Sequence, residues 1–205
     1  MDSKGVGDSL PASKALRSLG RYARFAAMND PGTGGIKLCV DVQYSEGRAT
    51  VAGVLFPNWD DPVPFDEITI CTGVPSDYEP GAFYKRELPC ILELLAQVRQ
   101  PPNLVVIDGY VWLGSSRPGL GYHLFAALEE QTPVVGIAKN RFHGLTEATE
   151  VFRGGSERPL FVTAEGVDRE EVSGSIGRMH GDHRIPTLIK RADQLCRLGA
   201  KTDSH

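Results

Sequence analysis

Three carboxylates stand out in this chain of 205 residues by where they fall. Asp41 lies inside the apolar run "KLCVDVQY", Glu87 in "YKRELP", and Asp108 closes "NLVVID" just before Gly109. A carboxylate taken out of water into or beside a buried strand costs on the order of several kcal/mol unless its charge is compensated. Singly, each has an ordinary explanation. Asp41 suits an edge-strand acid facing water, Glu87 favours a helix N-terminus through the helix dipole, and Asp108–Gly109 suits a strand-ending turn. Taken together they suggest chemistry. In an α/β sheet, sites gather beyond the carboxyl ends of the central strands, where Asp108 falls. If the strand carrying Asp41 neighbours the one carrying Asp108, two acids face each other, and Glu87 approaches from a helix start. Such a trio needs a cation, and hard oxygen donors with water suit Mg²⁺ or Mn²⁺. The metal reading requires the three to converge within about one coordination sphere.

The elements that must position these acids are legible from periodicity. Residues 1–12 are rich in Gly, Ser and Asp and read as a disordered tail. Leu16, Leu19, Tyr22 and Phe25 then follow helical spacing. "IKLCVDVQYSEGRATVAGVLFP" predicts a hairpin turning at "SEGR", and "PFDEITICTGV" a third strand paired onto it. After the loop "PSDYEPGAFYKRELP", "CILELLAQVRQ" is helical in period and stops before Pro101. "NLVVIDGY" and "PVVGIAKNRF" are apolar strands of the doubly buried kind, with the helix "GLGYHLFAALEEQ" between them. "ATEVFRGGSERPLFVTAEG" predicts another hairpin, and "DREEVSGSIGRMHG" and "IPTLIKRADQLCRLG" predict helices. This order predicts an α/β fold with a central mixed sheet and helices on both faces. One domain over 13–200 is expected, with 201–205 as a C-terminal tail.

Composition narrows the classes. With 41% apolar and 23% charged residues the chain reads as an ordinary globular protein. No apolar stretch approaches the ~20 residues of a membrane span, and no signal-peptide pattern is visible, so a cytoplasmic location and no membrane partner are expected. Cys39, Cys71, Cys90 and Cys196 form no CxxC pair and read as buried thiols. A net charge of −4 argues against bulk electrostatic capture of nucleic acid. It leaves room for a nuclease, whose carboxylates bind a metal that supplies the positive charge. Nothing resembles a coiled coil or an obligate apolar interface, so a monomer is expected.

"DVQY", "YEPGAFYKRELP", "VVIDG", "GLGYHL" and "PVVGIAKNRF" occur in the order and at about the spacing of the endonuclease V family, which the chain resembles from about Ile36 to Asp193. The resemblance implies an RNase H-like fold and Mg²⁺-dependent hydrolysis (Mn²⁺ substituting) of the second phosphodiester bond on the 3′ side of a deoxyinosine. The ends left would be a 3′-hydroxyl and a 5′-phosphate, as in DNA repair. It marks Asp41, Glu87 and Asp108 as metal-binding and catalytic carboxylates. Lys139 would contact the scissile phosphate or orient the attacking water. In "GDHRIPTLIKRAD", His183 resembles the fourth site group, with Asp182 as its rival. Tyr78 matches the wedge that fills the gap left by an extruded base, a step costing on the order of a few kcal/mol. Pro80, Gly81, Arg86, Gly109 and His123 fall in blocks that would face substrate; for His123 a core position bonded to backbone is the alternative. Lys85, Arg117, Arg141 and Arg184 lie near the same blocks and could track a phosphate backbone.

The pattern departs in two places. After Asp108–Gly109 the family usually continues with a Gly and then "HPR", where this chain has "YVWLGSSRP" with Gly114, Ser115 and Ser116 at the "HPR" positions. Acids Asp77 and Glu79 flank Tyr78 and would repel a phosphate backbone. The carboxylates point to a nuclease, while its substrate stays open: deoxyinosine in DNA, inosine-containing RNA, or branched or otherwise damaged DNA. A weakly catalytic nucleic-acid-binding protein is the alternative from another class.

Overall fold

The computed structural model describes residues 35–45, 47–73 and 83–202. The tail read over 1–12, the helix expected after it, Tyr78, Pro80, Gly81 and the last three residues lie outside the described residues. Runs of Val, Ile and Leu form the strands because branched side chains pack well on a pleated, half-buried surface. β1 (Lys37–Ser45) and β2 (Arg48–Phe56) make the first hairpin, pairing Ser45 with Arg48 across a turn in which Gly47 takes φ +77°. β3 (Asp66–Gly73) adds antiparallel to β2. β4 (Leu104–Asp108) and β5 (Val134–Ala138) continue the sheet parallel to β1. β6 (Thr149–Val151) and β7 (Leu160–Glu165) form the last hairpin, with β7 antiparallel to β5. Among the described residues the strand order is β3-β2-β1-β4-β5-β7-β6, the mixed sheet expected.

The two-residue period of the strands sorts their side chains between two cores. Leu38, Val40, Val105 and Ile107 face α1 (Tyr84–Gln97) and α2 (Leu120–Ala127), meeting Ile91, Leu94 and Leu124. Cys39, Leu104, Val106 and Ile137 face α3 (Arg169–Gly177) and α4 (Thr187–Thr202), meeting Ile176, Leu188 and Ala192. Helices therefore cover both faces. Parallel pairing of β1 and β4 sets Cys39 beside Val106 and Val40 beside Ile107, so Asp41 and Asp108 come next, one residue further along both chains.

Four local expectations are corrected. Helix α1 starts at Tyr84, ahead of the expected "CILELLAQVRQ", and carries Pro89 in its interior. Proline there removes one backbone bond, a cost on the order of 3 kcal/mol, which burial of Cys90, Ile91, Leu94 and Leu95 offsets. Helix α4 continues to Thr202, past the boundary expected at 200. Asp108 is not buried: its side chain is 36% exposed, because β4 ends there and the carboxylate projects beyond the sheet rim. Cys39, Cys90 and Cys196 are buried free thiols as expected, but Cys71, on edge strand β3, is only half-buried.

Candidate active site at the carboxyl ends of β1 and β4

A cleft of about 320 Å³ opens where the central parallel strands end. Asp41, Asp108, Lys139, His183, Arg184, Lys190 and Asp193 supply its polar lining. Its apolar floor is the outer end of the α3/α4 core, including Cys39, Val106 and Ile189. Four of these groups are delivered by different pieces of chain. Asp41 is held within β1, Asp108 ends β4, Lys139 follows β5, and Asp193 rides on α4. Lys139 Nζ donates to Asp108 Oδ2 at 2.5 Å. Two glycines make this rim possible. Gly109 turns the chain out of β4 at φ +145°, a conformation L side chains rarely adopt. At Gly136, in β5, a Cβ would meet the Gly109 carbonyl oxygen at 2.6 Å, so only glycine lets the outgoing chain cross so closely.

The acids are poised against one another. Burial raises the Asp41 carboxyl to about 6, helped by the charges of Asp108 and Asp193 and opposed by Lys139. Glu87, in the first turn of α1, is only 7% exposed. Burial raises its carboxyl to about 8, with Asp41 and Asp108 adding to the effect and Arg86 opposing it. Burial pulls the Lys139 ammonium down, but its hydrogen bond to Asp108 and the charges of Asp108, Asp41 and Asp193 outweigh this and leave it raised. The acids of the rim thus raise one another's affinity for protons, and Lys139 opposes this at Asp41.

This donor set suits a divalent cation in chemistry, with one geometric correction to the sequence expectation. Among the described residues, no three His, Cys, Asp or Glu side chains are arranged to hold one ion. The convergence of Asp41, Glu87 and Asp108 that the three-ligand metal reading required is therefore not met, because Glu87 comes from the α1 side and Asp108 is engaged by Lys139, and that reading is reduced to the pair Asp41 and Asp108. Mg²⁺ needs less, since it keeps several waters and is commonly held by one or two carboxylates. Asp41 and Asp108, on neighbouring strands, fit that requirement.

The remaining predicted residues divide. His183 lines the cleft beside Asp41 and Asp108, whereas its rival Asp182 is exposed and absent from the lining. Gly109 lies in a second hollow of about 270 Å³ on the other side of Asp108, walled by Phe83, Tyr84, Tyr110, Arg117 and Phe142. His123 is in neither hollow: its ring stacks on Tyr84 at 3.7 Å and 15°, behind that wall, and burial lowers its pKa. Arg86 is placed 4.2 Å over the Tyr44 ring, with its charge serving Glu87. Several other basic residues have internal partners. Arg141 pairs with Glu150, Arg184 donates to the carbonyls of Lys139 and Pro159, and Arg117 sits over the Phe142 ring.

Two residues escaped the sequence reading. Asp193 lines the cleft and presses on Asp41 by its charge. It sits directly after buried Ala192, four residues after Ile189 and three before Cys196, at the margin of the buried stripe of α4. An acid at that margin is the signal that could have found it. Tyr110 reaches across the rim to residues 140 and 142 through its hydroxyl.

An antiparallel three-strand unit extended by parallel strands, with acids at the central strand ends and helices on both faces, is an RNase H-like nuclease fold. Residues 33–184 match the family model for Endonuclease V, and the chain belongs to that family. The Endonuclease V of Streptomyces avermitilis is 34% identical over 197 residues, a match covering 83% of this chain and 82% of that one. The Azotobacter vinelandii Endonuclease V is 30% identical over 188 residues, covering 90% and 79%. The crystal structure of the Streptomyces avermitilis protein superposes with a TM-score of 0.70 at 26% identity, covering 97% of each chain. Human ENDOV gives 0.71 at 21% identity, covering 95% of this chain and all of that one. The Ciona intestinalis Endonuclease V, solved with a 23mer DNA containing an inosine followed by a ribo-adenosine, gives 0.70 at 16% identity, covering 95% of this chain and all of that one. The chain is an endonuclease acting on phosphodiester bonds. Among the described residues no helix is long and apolar enough to cross a membrane.

Proposed function

We propose that this endonuclease uses Mg²⁺, or Mn²⁺ in its place, to hydrolyse the second phosphodiester bond on the 3′ side of a deoxyinosine in DNA, leaving a 3′-hydroxyl and a 5′-phosphate. The observation that carries the reading is the convergence of Asp41, Asp108 and Lys139 from three strands on one cleft. Asp41 and Asp108 would hold the ion, with Glu87 acting from α1 on the same charge cluster. When bound, the ion supplies Lewis-acid charge to a phosphate oxygen and acidifies a coordinated water. Lys139 brings a fixed cation to the rim, where negative charge builds up on a phosphate under attack. His183 and Asp193 face the same space and can orient or accept a proton from water.

The hollow beside Asp108 supports a flipped base as the recognised element. Its walls carry the rings of Phe83, Tyr84, Tyr110 and Phe142, and the Gly109 backbone leaves one side without a side chain. Aromatic walls stack on any base, and backbone polar groups can read the edge that deamination changes. Tyr78, in the block just before this wall, would fill the vacated stack.

Matched oligonucleotides of DNA and of RNA, single- and double-stranded, with and without one inosine, test the proposal in the presence of Mg²⁺ or Mn²⁺. The expected result is one cut, at the second bond 3′ of inosine, lost in Asp41→Ala. Cleavage blind to inosine, a preference for RNA, or binding without cleavage would each overturn the stated specificity.

A further inference from the structure

We propose that Tyr110 is a positioning residue for the cleavage reaction: its hydroxyl fastens the segment carrying Lys139 to the segment leaving Asp108. This rests on the nuclease reading above and adds to it a residue that acts through another. Tyr110 lies two positions after Asp108, at the start of the stretch where the chain departs from its family pattern. Its Oη donates to the Asn140 carbonyl at 2.6 Å and accepts the Phe142 backbone N–H at 3.1 Å. Its ring meets the Phe142 ring edge-on, centroids 6.1 Å apart.

Lys139 needs such support. β5 ends at Ala138, so ladder pairing does not fix the lysine, and residues 139–144 form neither strand nor helix. Arg184 donates to the Lys139 carbonyl, Arg158 reaches the Asn140 side chain and Arg141 pairs with Glu150, while the Tyr110 hydroxyl bonds the backbone of the segment at both residues 140 and 142. Tyr110 itself stands on a firm base. The Gly121 N–H donates to its carbonyl at 3.1 Å, the next residue's N–H donates to Thr163 Oγ1 at 2.8 Å, and Gly119 N–H donates to the Val111 carbonyl at 2.8 Å. A hydroxyl that both donates and accepts spans two backbone groups at once, which phenylalanine cannot do. The tie therefore sets where Lys139 can stand when it reaches toward Asp108.

Tyr110→Phe keeps the ring and removes only the tie. With the inosine-containing DNA and Mg²⁺, kcat should fall about tenfold while KM changes by less than about threefold, in line with the sensitivity of rate to small displacements of a positioned group. The melting temperature should stay near that of the wild type, and hydrogen exchange at the Phe142 amide should speed up. In single-turnover reactions, Tyr110→Phe placed on Lys139→Met should cost nothing further, because the tie acts through the lysine. Unchanged kcat despite faster exchange, or the same loss in both backgrounds, would overturn the positioning role while leaving the nuclease reading intact. A wild type that cuts no nucleic acid would overturn both, and that is seen before any variant is made.

Discussion

Lys139 Nζ lies 2.5 Å from Asp108 Oδ2, so the acid that ends β4 already has a cationic partner. Both side chains are more than a third exposed, and such a pair adds little to stability. Its consequence is competition: a cation approaching Asp108 meets an oxygen already engaged. Lys139→Met should leave the melting temperature nearly unchanged and tighten Mn²⁺ binding a few-fold, as read by paramagnetic titration. Cleavage should fall by about a hundredfold or more, the scale seen when one donor to a developing oxyanion is removed. Weaker Mn²⁺ binding, or undiminished cleavage, would contradict this role for the lysine.

Glu87 makes the protein's stability depend on pH in an unusual direction. Burial raises its carboxyl from the ordinary 4.5 to about 8, so the folded chain keeps this proton where the unfolded chain has lost it. Stability therefore falls as pH rises between those values, and Asp41 adds a fall between its ordinary 3.8 and about 6. Metal-free protein should unfold at lower urea at pH 8 than at pH 5, by a difference on the order of a few kcal/mol. Glu87→Gln should flatten most of that dependence. A stability that climbs over this range in the wild type, or a slope untouched in Glu87→Gln, would rule the assignment out.

Strands and helices were readable because β1, β4 and β5 pack apolar residues on both faces and the helices carry stripes of matching period. Asp41 and Asp108 were readable for the same reason, as charges interrupting or ending such runs. What the sequence hid depends on packing between distant segments. Pro89 suggested a helix boundary, and only burial of the following residues explains a helix through it. Asp193 is, in sequence, one charge on an amphipathic helix; it matters because α4 packs against β1 and brings its charge to bear on Asp41. His123 was drawn toward the site by its motif, but a stacking contact with Tyr84, from a different helix, places it behind the wall.

Asp193 and His183 offer the cleft two candidates for a fourth group, and their settings differ. Asp193 and His183 both line the cleft and Asp193 acts on Asp41 by charge, while Asp182 is exposed and not part of the lining. Asp193→Asn should lower cleavage by about ten- to a hundredfold, the range for losing one acid–base or charge-placing group. It should also let Asp41 ionise at lower pH, moving the acid limb of the kcat/KM profile down. Asp182→Asn should be silent in both measurements. A full rate in Asp193→Asn, with the loss appearing in His183→Gln alone, would return the role to the histidine.

Arg153 shapes the segment that carries His183 from beneath. Arg153 is 8% exposed, and its guanidinium donates to the carbonyls of Met179 at 2.5 Å, Gly181 at 2.7 Å, and His183 and Arg184 beyond them. Burial lowers its pKa, and the charge of Asp182 opposes that shift, which gives this exposed acid a structural use. Arg153→Met would leave several carbonyls short of a donor, each costing about 1–3 kcal/mol where water cannot reach. The expected loss is about 3–5 kcal/mol in urea unfolding, accompanied by weaker cleavage because His183 and Arg184 lose their support. Arg153→Lys should recover only part of it, since one ammonium cannot match the planar fork that spans four acceptors. Full stability in Arg153→Met would show that the 179–184 segment is held by other contacts.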